Sequence, residues 1–210
     1  MTLGKILRRI DRELKKRESI KNELYDSMRK ATRLSKQAIF LIHRRRFDRA
    51  TELLRETAKL FAVFEDATSP HREFIHAGIV YSAFEEYAEA QILLALLQED
   101  KFVDPEEIHV PQTSYLLGLA DVVGELRRAA LDSLRKEEIE IAEKNLERME
   151  LIYNKSITMD GAMQHVSELR RKTDVSRRII EATRGDVTNE VRRSSLERSI
   201  KKLQTLINPE

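Results

Sequence analysis

The sequence predicts an all-α protein of long amphipathic helices, and three observations carry that reading. Glycine and proline are scarce, at 6 and 4 of 210 residues, so the punctuation of a strand-and-turn protein is missing. Charged residues make up 35% and aromatics 6%, which suits solvated helix faces better than a β core. Apolar residues recur at three-to-four spacings along most of the chain.

Taken in order, the first helix is expected from about Thr2 to Arg46, with Glu18-Ser19 the place where an interruption would fall. The second spans about Phe47 to Ala67, with Ala50, Leu53, Leu54, Ala58, Phe61 and Ala62 inward. Ser69 is a suitable N-cap and Pro70 a suitable first helical residue, so the third helix is expected from about Pro70 to Glu99. His71 and Arg72 then stand at its start. Residues 100–113, with Pro105 and Pro111, read as an irregular connection. A fourth helix is expected from Thr113 to about Arg135 and a fifth over about Glu137 to Tyr153. Two more, about Gly161–Thr183 and Asp186–Ile207, are separated at Arg184-Gly185.

Composition bounds the function. The 38 Lys+Arg and 36 Asp+Glu leave a net charge of +2, so attraction to nucleic acid must come from local segregation of charge. The absence of cysteine removes disulfides and thiolate metal sites. No apolar run approaches the roughly 20 residues that span a bilayer, and Met1 to Arg9 lack the apolar block of a signal peptide. A cytoplasmic protein without membrane partners is the expectation.

Such segregation occurs on the first helix. At about 100° per residue, Ile20, Leu24, Ala31, Leu34, Ala38, Leu41 and Ile42 fall on one face. Tyr25, Arg29, Arg33, Lys36, Phe40, His43 and Arg44 fall on the other. Basic side chains track phosphates and aromatic faces stack on unpaired bases. A solvated surface or a subunit interface would give the same pattern.

The stretch Tyr115–Arg128 is the most informative. Asp121 and Glu125 are four apart and share one side of a helix, where like charges repel unless a cation or proton intervenes. Gly118 and Gly124 lie close to that side. A mid-helix glycine costs about 1 kcal/mol against alanine, so the pair suggests close approach of another element or a ligand. On the preceding helix Glu86 and Glu89 fall on the apolar stripe of Ile75, Ile79, Ala83, Ala90, Leu93 and Leu97. Carboxylates there need a salt bridge, a proton or a metal. Structural ion pairs to Lys or Arg are one explanation. The other is an all-carboxylate site for a hard cation, Mg²⁺ or Mn²⁺, of the kind that assists phosphodiester hydrolysis. A di-iron bundle would need two inward Glu-x-x-His pairs. Only Glu73-Phe74-Ile75-His76 is usable, because Glu106-Glu107-Ile108-His109 lies between prolines.

Tyr115-Leu116-Leu117-Gly118-Leu119-Ala120-Asp121-Val122-Val123-Gly124-Glu125-Leu126 resembles the Tyr-Leu-x-Gly-x-Ala-Asp-x-x-Gly-Glu-Leu signature of Trax-type subunits in the translin family. Ser35-Lys36-Gln37-Ala38-Ile39-Phe40-Leu41-Ile42-His43-Arg44 looks like that family's first-helix motif, and Glu86-Tyr87-Ala88-Glu89-Ala90 is similar to its Glu-x-x-Glu-Ala block. The resemblance covers about Ser19 to Arg184. It implies a seven-helix bundle, one domain over residues 1–210, and a hollow homo-oligomer, expected to be an octamer, that encloses single-stranded RNA or DNA. It also implies Mg²⁺-dependent endoribonuclease activity, with Glu86, Glu89, Asp121 and Glu125 as metal-binding and catalytic acids. Tyr25, Arg29, Arg33, Lys36, Phe40, His43 and Arg44 would hold the RNA. The alternative is a non-catalytic, nucleic-acid-binding scaffold, and a purely structural helical oligomer comes third.

Overall fold

In the computed structural model, which describes residues 2–69 and 74–207, all regular secondary structure is helical. Seven α-helices follow in order: α1 Leu3–His43, α2 Phe47–Thr68, α3 Gly78–Glu99, α4 Gln112–Leu134, α5 Ile139–Ser156, α6 Asp160–His165 and α7 Ser167–Ile207. The all-α expectation is met. Pro70, His71, Arg72 and Glu73, and with them the expected first helical residue and the acid of the Glu-x-x-His pair, lie outside the described residues, while Ser69, the expected N-cap, instead ends α2 in helical conformation at φ −49° and ψ −45°.

Contacts divide the chain into two compact units, residues 1–118 and 119–210. In the first, α1 packs against both α2 and α3. Its inward stripe is buried as expected at Leu24, Ala31, Leu34, Ala38 and Ile42, and Met28 joins it. The turn into α2 needs Arg45 in the left-handed region, at φ 56°. The α2 face contributes Leu54, Phe61 and Phe64. Phe61 stacks on Phe84 of α3, centroids 4.2 Å apart, and meets Tyr87 edge-on at 5.2 Å. α3 is buried on more sides than the single apolar stripe expected of it, from Val80 to Leu96. It ends at Asp100, whose left-handed φ of 58° turns the chain into the irregular stretch before α4.

The first residues of α4 complete this unit. Tyr115 donates its hydroxyl to the Val103 carbonyl at 2.7 Å, tying the irregular stretch to the helix. Gly118 lies against the α3 main chain. A Cβ there would stand 2.7 Å from the Glu85 carbonyl oxygen and 2.9 Å from the Glu89 nitrogen.

In the second unit α5 and α6 pack on α7. Ala130, Ala142 and Val187 form a buried cluster joining α4, α5 and α7, with Leu134, Leu146 and Val191 around it. Arg127 of α4 reaches α7, donating to Thr183 Oγ1 at 2.8 Å and pairing with Asp186 at 3.2 Å.

Helix limits differ from the sequence expectation in three places. α1 runs through Glu18-Ser19 without a break. α3 begins at Gly78, after turns at residues 75–77, and not near Pro70. α7 continues through Arg184-Gly185, and the interruption falls at Val166 instead, with φ −110° and ψ 83°.

Candidate functional site

The polar face of α1 is exposed where the sequence places its charges. Arg29, Arg33, Lys36 and Arg44 are all exposed, and His43 is half-buried. Arg29 pairs with Asp26 one turn earlier. The two aromatics of the stripe differ. Tyr25 is half-buried, its ring edge-on to Phe74 at 6.3 Å. Phe40 is 46% exposed, and the Arg44 guanidinium lies 4.2 Å over its ring centroid. A cation over an aromatic face makes a flat, positively charged platform.

This face reaches the acids of α3. Lys36 Nζ lies 3.0 Å from Glu86 Oε1, with the carboxylate side chain 21% exposed and the ammonium outward. The hydrogen bond to Glu86 holds the Lys36 ammonium above its ordinary range. Attraction to Glu86 and, more weakly, to Glu89 adds to that rise, and burial opposes it. Glu89 itself is buried at 9% exposure, one helical turn from Glu86. The helix turns both carboxylates toward the apolar stripe, as their spacing predicts, and the cost at Glu86 is met by Lys36 of α1.

The second acid pair is arranged in the same manner within its own unit. Asp121 Oδ2 accepts from Lys172 Nζ of α7 at 2.5 Å, and the lysine side chain is only 12% exposed. Glu125 is half-buried, with Arg128 at 3.8 Å. Lys172 is the residue that sequence reasoning missed. It lies 51 positions from Asp121, and no local spacing connects them.

The four acids supply oxygen donors alone, which suits a hard cation in kind. Among the described residues no three of His, Cys, Asp and Glu are gathered where a metal ion could be held. Two carboxylates, Glu86 and Asp121, each carry a lysine ammonium instead. The di-iron alternative also finds no such group among the described residues, and His76 is engaged with the Tyr81 hydroxyl at 3.0 Å. No helix among them is long and apolar enough to cross a membrane.

Comparison with known proteins places this geometry in a family. The model of the translin family matches residues 19–182. A Methanocaldococcus jannaschii protein described as uncharacterised is 30% identical over 203 residues, 94% of this chain and 88% of its own length. Among solved structures, apo-NeC3PO superposes with a TM-score of 0.79 at 25% identity, covering 90% of this chain and 98% of that one. AfC3PO in complex with duplex RNA gives 0.74 at 29% identity, covering 88% and 95%.

Proposed function

The chain belongs to the translin family, and from that premise we propose that it is an RNA-binding, metal-dependent endoribonuclease acting as a homo-oligomer. The observation that carries this reading is the Lys36–Glu86 contact. Lys36 belongs to the basic, aromatic face of α1 and also touches the acid pair of α3, so a strand lying along that face is brought to the carboxylates. A solved relative, AfC3PO, holds duplex RNA.

Arg29, Arg33, Lys36 and Arg44 bind backbone phosphates in this reading. Phe40, with Tyr25 and His43 on the same face, meets the bases. Glu86 and Glu89 on α3, and Asp121 and Glu125 on α4, are the carboxylates we assign to Mg²⁺ or Mn²⁺. When bound, such a cation polarises a phosphoryl oxygen and lowers the pKa of water. Lys36 and Lys172 neutralise Glu86 and Asp121 in its absence. Assembly of like subunits into an octamer follows the family pattern. Exposed apolar side chains at four-three-four spacing support self-association: Leu3, Leu7, Ile10 and Leu14 on α1, and Leu196, Ile200, Leu203 and Ile207 on α7.

The test is cleavage of labelled single-stranded and duplex oligoribonucleotides with Mg²⁺, by the parent and by Glu89→Gln and Asp121→Asn. The parent should cut the single strand, and each variant should lose activity by orders of magnitude, since metal stabilisation of phosphoryl charge is worth roughly several kcal/mol. The lysine contacts also fit structural ion pairs, which is what a non-catalytic RNA-binding scaffold would keep. RNA bound but left intact by the parent would establish that second reading, and variants that cut like the parent would overturn the catalytic assignment of the acids.

A further inference from the structure

Where α2, α3 and the irregular stretch before α4 meet, the chain encloses a cavity of about 340 Å³. It lies wholly within the unit 1–118, and none of the described residues lining it comes from α1. Its volume is at the small end of the roughly 300–1,000 Å³ of ligand sites. It suits a single ring system, not a length of strand.

Floor and rim differ in kind. Phe61 of α2 and Tyr87 of α3, both buried, give an apolar floor. Half-buried Gln91, on the next turn of α3, donates through Nε2 to the Tyr87 hydroxyl at 2.7 Å. A primary amide has two N–H donors and an acceptor oxygen, so Gln91 keeps one N–H and its Oε1 for an occupant. Burial raises the Tyr87 phenol above its ordinary value, outweighing the Gln91 hydrogen bond, so this anchor stays neutral. The rim carries Glu65 from α2, and Glu107 and His109 from the irregular stretch, all exposed. Among the described residues that line the cavity none is Lys or Arg. The wall is built in advance. His109, in left-handed backbone at φ 53°, closes a turn in which the Val110 N–H donates to the Pro105 carbonyl at 3.1 Å.

These features select an occupant. Its faces must be apolar, to lie on Phe61 and Tyr87. One edge must pair a donor with an acceptor, as adenine does when a glutamine amide meets its N7 and exocyclic amine. A phosphate is disfavoured, because it would face two carboxylates with no lining cation to balance it. We propose that this cavity binds adenine as the unphosphorylated nucleoside, recognised by Gln91 over the floor of Phe61 and Tyr87. The proposal does not rest on RNA binding at α1.

Isothermal titration calorimetry of the full chain with adenosine, AMP and uridine, in EDTA, tests it. Adenosine should bind at one site per chain. AMP should bind about tenfold more weakly, the effect of one like-charge contact at a wet rim. Uridine, which has no exocyclic amine, should give no saturable heat. Binding at the basic face of α1 would rank adenosine and AMP the other way. Gln91→Leu should weaken adenosine by about tenfold or more, the usual worth of such a paired edge. The double variant Glu65→Gln, Glu107→Gln changes only exposed side chains and should bring AMP close to adenosine. No saturable heat from adenosine, or AMP or uridine binding as tightly as adenosine, would overturn the proposal. So would a light-scattering mass that falls in the double variant while the parent ignores adenosine. The cavity would then belong to a cationic side chain of a second copy.

Discussion

Gly118 and Gly124 occupy the same helix six residues apart, yet substitution should act on them in opposite directions. At Gly118 alanine puts its Cβ against the Glu85 carbonyl oxygen and the Glu89 nitrogen, at 2.7 and 2.9 Å. Backbone cannot rotate away, so α3 and α4 must separate. Gly118→Ala should cost about 1–3 kcal/mol, the usual range for overpacking, read from urea unfolding. Gly124→Ala meets no neighbour and should gain about 0.5–1 kcal/mol by removing a helix-interior glycine. Both glycines suggested close approach in the sequence, but spacing alone could not say which one a helix of the same chain fills. Tyr115 gives a prediction in pH. Burial, with the nearby Asp104 carboxylate adding to it, raises the phenol above its ordinary value near 10.0. A raised folded-state pKa contributes stability in full below the unfolded value and loses it as pH climbs through the folded one. Tyr115→Phe should cost about 0.5–1.5 kcal/mol at neutral pH, because the Val103 carbonyl loses its donor. The variant should then lose less stability than the parent above about pH 10, followed by melting temperature against pH.

At the scale of single helices, α1 carries the most direct test of nucleic-acid binding. Arg33→Ala removes one exposed charge and should reduce the salt slope of RNA affinity by about one contact. Phe40→Ala should weaken binding by about 1–3 kcal/mol with little change in slope, because stacking releases no counterions. Parental behaviour in both would make this face an interface or plain solvated surface. The stripe was legible because an α-helix of this length repeats its faces faithfully. Where the periodic signal continues across a boundary, legibility ends. Ile75 and Ile79 keep the apolar spacing of α3, so nothing in the pattern marks the start at Gly78. Gly185 looks like a stop, but buried Thr183 and Val187 on either side hold α7 helical through it. The true interruption, at β-branched Val166, carries no glycine or proline. The acids on α3 were readable from their place on an apolar stripe. The lysine partners of the acids were not, since Lys36 reaches Glu86 from α1 and Lys172 reaches Asp121 from α7.

For the whole molecule, the stripes near the chain ends supply the assembly test. Light scattering at low micromolar concentration should give a mass well above the 24.5 kDa monomer. Replacing Leu7 and Leu14 with Glu should lower that mass, because buried charge would then face an apolar partner stripe. Electrostatics at this scale is nearly balanced, and the balance is local as well as global: Lys36, which the RNA reading relies on, is already engaged by Glu86. Binding is therefore a competition between claimants for one ammonium. Removing the resident claimant should help the newcomer. Glu86→Gln should tighten RNA binding in EDTA and steepen its salt dependence by about one contact, even as the same substitution ends cleavage. An acid whose loss strengthened the grip while abolishing the cut would be set against its own substrate, and that antagonism would give a strand, once cut, a reason to leave.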